Sequence, residues 1–379
     1  MEIFNAAKHT AADVFTATDK EGREHLVVVI KATYRIPAHN QYPRPLLPAQ
    51  PLIESDIYVG ESGYSAVLYE ADYVRYKIKC DVLFNAQTYF TSTENKYQKE
   101  VRAVVGTMDK TLTVTGPRCW QQQKSKWIIS EPQYVTAVSL HYGNAFGGEY
   151  VWQDAHGNEQ RDIFIHNLVG TGYGDAKNKT SLINCRLPQV ELLHDVVKSP
   201  DSRPVPGAFS VQPRNHPTRL QYAGTYDEYW LKEVSPFLPE DFDERYFQSA
   251  PPDQQTEYIR GGEKIMLVNM HKERPVIEFQ LPHFGQMPVR ILTMDYEEYE
   301  LTPVVDTLYF EPDEERFSVV WRTSIPLKRR IQEIHTVAIG AVGRAWWQQR
   351  AAGGGGSCGG CRGKKDRSKK MVAKNRGDS

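Results

Sequence analysis

The sequence predicts a mainly β fold, a large two-layer antiparallel assembly of sandwich type with long Pro/Gly-rich loops and few short helices. Three observations carry that expectation. β-branched and aromatic runs of strand length recur along the chain, as in HLVVVIKATYRI over residues 25–36. Clusters of proline and glycine separate these runs. Only EDFDERYFQSA (240–250) and KRRIQEIHTVAI (328–339) hint at helical spacing, and the second fits a strand equally well.

In order, the turn signal TDKEGRE opens the first long strand and Pro37 stops it. Prolines 37, 43, 45, 48 and 51 make an extended connector, after which LIESDIYVG and YSAVLYEADYV resume apolar and aromatic alternation. Residues 76–90 read as a strand, and 99–116 as a strand pair with a turn at TMDK. WIISEPQYVTAVSLHYGN (127–144) reads as a further pair around Pro132. Six glycines between 144 and 174 predict loops with close backbone packing. GTGYG has no following amphipathic helix and no Lys-Ser/Thr, so its glycines do not form a phosphate cradle. RLPQVELL is a short strand, and 199–217 is a second Pro-rich connector. Beyond residue 255, GGEKIMLVNMHKERPVIEFQLP, VRILTMDYEEYELTPVVDTLYFEP and ERFSVVWRTSI alternate as strands. The pattern continues on both sides of residue 150 without a clear linker. Residues 1–350 are therefore expected to form one β-rich domain, with room for two lobes dividing near 150, and 351–379 a Gly-rich linker with a disordered basic tail.

Composition narrows the class. Hydrophobic residues at 40%, with 25% charged, describe a soluble globular chain, and 21 tyrosines give it a rigid amphipathic resource. No run reaches the length of a membrane span and the N-terminus has no signal-peptide pattern, so a cytoplasmic protein is expected. Cys80, Cys119 and Cys185 stand singly, in the manner of buried thiols. The net charge of −1 conceals an asymmetry: residues 351–379 hold eight Lys or Arg against two Asp, so an acidic body carries a basic tail.

Residues 224–254 combine apolar anchors with carboxylates. Tyr226, Tyr229, Trp230, Phe237 and Phe242 interleave with Asp227, Asp241 and Asp243, while Pro236, Pro239, Pro251 and Pro252 forbid regular ladders. Such a segment suits a structural clasp or a docking surface. Asp241 and Asp243 flank Phe242 and, with Asp227, read first as caps for local backbone N–H groups; as the alternative, they are the carboxylates a metal-dependent hydrolase would use. None of the eleven histidines has zinc-ligand spacing and no GxSxG elbow occurs. Cys358 and Cys361 form half a metal site at most. The basic tail after them lacks aromatic stacking partners, which argues against nucleic acid as its ligand.

Several motifs in one order give the chain its family likeness: VVIKATY (28–34), PLIESDIYVG (51–60), KCDVLFNA (79–86), VVGTMDKTLTVTGPRCW (104–120), NAFGGEY (144–150), HNLVGTGY (166–173), GTYDEYW (224–230), LPEDFDERYFQSAPPDQ (238–254) and DTLYFEPDEERFSVVWR (306–322). Together they resemble the type VI secretion effector adaptor or chaperone family, bacterial proteins catalogued as a domain of unknown function. The resemblance implies binding of a toxin effector and of a VgrG spike or PAAR tip protein. It implies no catalytic residue and no cofactor. The tail lies outside the shared body. Tyr226, Asp227, Tyr229, Trp230, Phe237, Asp241, Phe242 and Asp243 are the expected partner-binding residues.

Overall fold

The computed structural model describes residues 1–352 apart from 40, 95, 125, 175–181 and 286. Cys358, Cys361 and the basic tail fall outside the described residues. The strand Glu24–Arg35 is buried over nine consecutive residues and lies inside the largest sheet. It runs antiparallel between Thr10–Thr18 and Arg316–Pro326, with Val28 opposite Val14 and Lys31 opposite Val320. The sheet continues through Val304–Glu311 and Cys80–Phe84, which pair parallel, to Gln255–Thr256. Arg44–Pro45 pairs with the end of the long strand to complete seven.

A five-stranded sheet follows the order Val190–Leu192, Met108–Thr115, Gln98–Val105, Lys264–Val268 and Val276–Gln280. A four-stranded sheet follows Glu2–Asn5, Ile334–Ile339, Val289–Thr293 and Glu298–Leu301. Both larger sheets draw strands from either side of residue 150. All three share one apolar cluster, which includes Ile30, Val82 and Phe317 from the first, Val101 and Leu112 from the second, and Ile291 and Val337 from the third. Fully burying side chains of this size contributes about 1.5–3 kcal/mol each, so this cluster is the principal store of stability. The mainly β architecture with few short helices is as the residue patterns predict.

Four local readings need correction. The hairpin of Gln98–Val105 and Met108–Thr115 turns at Gly106-Thr107 rather than at TMDK, because Gly106 takes the positive φ of 58° that a two-residue turn needs. The two strands around Pro132 both exist but do not pair with each other: Lys126–Ile129 pairs with Trp120–Gln123, and Ala137–Ser139 with Gln87–Tyr89. Of the three scattered cysteines only Cys80 is buried; Cys119 and Cys185 are partly exposed. The chain from Arg344 to Ala351 is an α-helix, held by Trp347 donating Nε1–H to Glu298 at 2.8 Å and by Arg350 paired with Glu2 at 2.7 Å. The close glycine packing expected before residue 174 is present: a Cβ on Gly147 would lie 2.2 Å from the Asn167 carbonyl oxygen.

Candidate functional site

The segment over residues 224–254 divides into two halves with different surroundings. From Glu244 onward it is knitted into the back of the seven-stranded sheet. Gln248 donates Nε2–H to Asp81 Oδ1 at 2.8 Å, the Ser249 N–H donates to Asp81 Oδ2 at 2.8 Å, and Gln254 donates to the Val82 carbonyl at 2.7 Å. Arg75 pairs with Glu244. This half is a clasp, and prolines suit it because side chains rather than a backbone ladder hold it.

The first half projects. Tyr226, Tyr229, Leu231 and Phe237 are 55%, 58%, 65% and 49% exposed. Trp230 pins the bend from within, donating Nε1–H to the Phe237 carbonyl at 2.9 Å and meeting Tyr226 edge to face at 4.7 Å. Phe237 also lies against the turn at Gly22, where an added Cβ would touch its ring at 3.0 Å. Phe242 is buried and packs on Tyr246 and Phe247.

The three aspartates have separate local partners. Asp227 Oδ1 accepts the Trp230 N–H at 2.8 Å, capping the short turn that follows. Asp241 accepts the Thr225 N–H at 2.8 Å and its hydroxyl at 2.7 Å, and these bonds lower its pKa. Asp243 accepts the Arg245 N–H at 2.8 Å and pairs with its guanidinium at 2.6 Å, which lowers its pKa too. A general acid needs a raised carboxyl pKa, and neither Asp241 nor Asp243 has one. Among the described residues no group of three or more His, Cys, Asp or Glu side chains is placed to hold a metal ion.

The residues that the sequence reading passed over lie beside the clasp, on this same back face of the sheet. Along Arg316–Pro326, Phe317, Val319 and Trp321 enter the apolar cluster, while Arg316, Ser318, Val320 and Arg322 line a cavity of about 190 Å³. Val304–Glu311 divides likewise, with Leu308 and Phe310 inward and Thr307, Tyr309 and Glu311 toward the cavity; a register shift in the ladder falls at Asp306. The chain over residues 50–77 covers this face and supplies Tyr69, Glu70, Asp72 and Lys77.

Charges here are matched. Lys31 pairs with Asp72 at 2.9 Å, Lys77 with Asp81 at 2.7 Å, Arg219 with Glu70 at 2.6 Å and Arg316 with Glu311 at 2.8 Å, and Arg322 pairs with Asp306. Burial works against the Glu70 carboxylate, but Arg219 and Lys77 overcome it and hold its pKa at about 2. Burial likewise opposes the Lys77 ammonium, yet Asp81 and Glu70 raise its pKa. Asp306 shows the reverse balance: burial wins over Arg322 and raises it. Tyr69, half-buried, donates to Glu311 at 2.6 Å, and burial first, with Glu311 adding to it, pushes its pKa up to about 12. Ser249 donates its hydroxyl to Asp81 at 3.0 Å. Paired ions and occupied hydroxyls fit recognition of a polar group better than proton transfer. The signal for this site is visible in hindsight as charges set inside β-branched runs, in VVIKATY, KCDVLF, VVDTLYFE and SVVWR.

Fold and site together define a β-rich protein with a projecting aromatic surface and a buried ionic network behind its main sheet. The chain belongs to the family described as "Uncharacterized protein conserved in bacteria (DUF2169)", whose model matches residues 21–322. That span includes both regions. No curated protein and no solved structure matches the chain.

Proposed function

We propose that this protein is a non-catalytic adaptor or chaperone of type VI secretion, acting in the bacterial cytoplasm, which binds a toxin effector and helps load it on the VgrG spike or PAAR tip. The motifs shared with that family suggest the system. The observation that carries the binding reading is the projection of Tyr226, Tyr229, Leu231 and Phe237 from a bend whose base is fixed by Trp230 and by the clasp behind it. Large apolar groups exposed together on a stiff support lose little conformational freedom on association, and aromatic anchors dominate interface energies. The aspartates support the same reading, because each stiffens the bend through local hydrogen bonds.

The test is affinity purification of the tagged full-length chain from its own bacterium with the secretion genes expressed, beside the double variant Tyr229→Ala/Leu231→Ala. Co-elution of a toxin with a spike or tip protein, reduced at least about tenfold in the variant, is expected for two anchors worth about 1–2 kcal/mol each. Recovery of neither class of protein by the natural chain would refute the adaptor role. Undiminished recovery by the folded variant would move the contact away from this bend.

A further inference from the structure

We propose that the cavity behind the seven-stranded sheet is a binding site for a carboxylate group. Two donors lead to it. Arg322 is 4% exposed; its Nη1 engages Asp306 and its Nη2 donates to the Asp72 carbonyl at 2.8 Å. The buried Arg322 Nε has no hydrogen-bond partner among the described residues. Lys31, 7% exposed, donates to Asp72 Oδ2 at 2.9 Å as its one hydrogen-bond partner among those residues, although an ammonium carries three protons. The two side chains come from neighbouring strands, where Val320 stands opposite Lys31 and Arg322 follows two residues later on the same face. Both line the cavity.

The geometry and the charge both select a carboxylate. Its two acceptor oxygens match one guanidinium N–H and one ammonium N–H from adjacent strands. The surrounding network is neutral, since Lys31, Lys77, Arg219, Arg316 and Arg322 balance Asp72, Asp81, Glu70, Glu311 and Asp306. One added negative charge sits between Lys31 and Arg322. A phosphate dianion would bring a second charge against Glu70, Asp72 and Glu311, which line the same cavity. The cavity, at about 190 Å³, admits a small acid or the end of a peptide. This site is separate from the aromatic bend, so it stands or falls independently of the adaptor reading.

Calorimetric titration of the full-length chain in chloride-free buffer tests it with acetate, with a short peptide bearing a free C-terminal carboxylate, with the same peptide amidated, and with inorganic phosphate. Saturable binding of acetate or of the free-acid peptide is expected, with phosphate and the amidated peptide at least about tenfold weaker. A peptide at least about tenfold tighter than acetate identifies a polypeptide as the source; comparable affinities identify a free small acid. Val320→Phe fills the cavity between the two donors without removing an ion pair, and it should weaken binding by about tenfold or more. Should that variant fail to fold, the Arg322 Nε–H resonance of the natural chain must shift on adding the carboxylate. The proposal is overturned if neither carboxylate saturates, if phosphate binds as tightly, if folded Val320→Phe binds undiminished, or if the Arg322 resonance stays fixed.

Discussion

One face of the seven-stranded sheet buries Leu26, Val28, Ile30, Phe317 and Trp321 against the other two sheets, and the opposite face of the same strands buries Lys31, Asp81, Asp306 and Arg322. The strands, the backbone ladder and the depth are the same. What differs is how each face is held. The apolar face is stabilised by area, which is additive and forgives shape changes of similar volume. The ionic face is stabilised only while every charge keeps its partner, because removing one side chain leaves another charge stranded away from water. Burial alone therefore does not measure what a residue contributes.

The largest effect should come from breaking the ionic face. Arg322→Ala strands the Asp306 carboxylate, which is 1% exposed, and should destabilise by about 3–5 kcal/mol in urea unfolding. The double variant Asp306→Leu/Arg322→Met sharpens the contrast: with both charges gone it should be more stable than Arg322→Ala alone, and the reverse order would show that the pair does more than neutralise itself. On the apolar face, Ile30→Ala should cost about 2–5 kcal/mol through lost transfer energy and the void it leaves. No companion substitution on a neighbouring strand should rescue it by charge removal.

Acid provides a third, smaller probe. His216 is buried, and burial first, with His166 and Arg219 adding to it, lowers its pKa from 6.5 to about 4. Between those values the unfolded chain takes up a proton that the native chain refuses, so stability present above about pH 6.5 is lost as pH falls. About 2 kcal/mol should disappear between about pH 7 and about pH 5, and His216→Asn, which retains a capping side chain, should flatten that slope. Glu70 continues the loss further down. Its pKa is depressed from 4.5 to about 2, so its contribution is complete above the first value and falls away toward the second. Asp306, with a raised pKa, works in the opposite sense and relieves part of the strain in acid.

The smallest effect on stability belongs to the projecting bend. Tyr229→Ala should change unfolding by no more than about 0.5 kcal/mol, because the side chain is exposed and makes no pinning contact. The same substitution should weaken partner recovery. A large loss of stability instead would mean that the bend belongs with the clasp.

Much of the fold was legible along the chain. The runs over residues 25–36, 99–116 and 316–326 become strands because β-branched and aromatic alternation is a local property, and proline and glycine end them by equally local sterics. The aromatic bend was legible as a segment, and its division into an exposed half and a clasp was not. Asp227, Asp241 and Asp243 read in sequence as local caps with chemistry as the alternative, and each does cap nearby backbone, because its closest unsatisfied donor is a few residues away or directly across the bend. The ionic cavity was missed altogether. Its pairs join Lys31 to Asp72, Arg219 to Glu70 and Arg322 to Asp306, residues far apart in the chain in the first two cases.

By itself, the sequence determined which residues extend, where the chain turns and that one face of each long strand is apolar, since these follow from side-chain shape, φ restriction and period-2 alternation. Only the tertiary structure decided what covers the second face. A lysine or arginine within a strand reads as solvated until residues 50–77 fold over it and supply the carboxylates that make its burial tolerable. Such pairings are set by the free energy of the assembled charges, which has no expression at any single position of the chain.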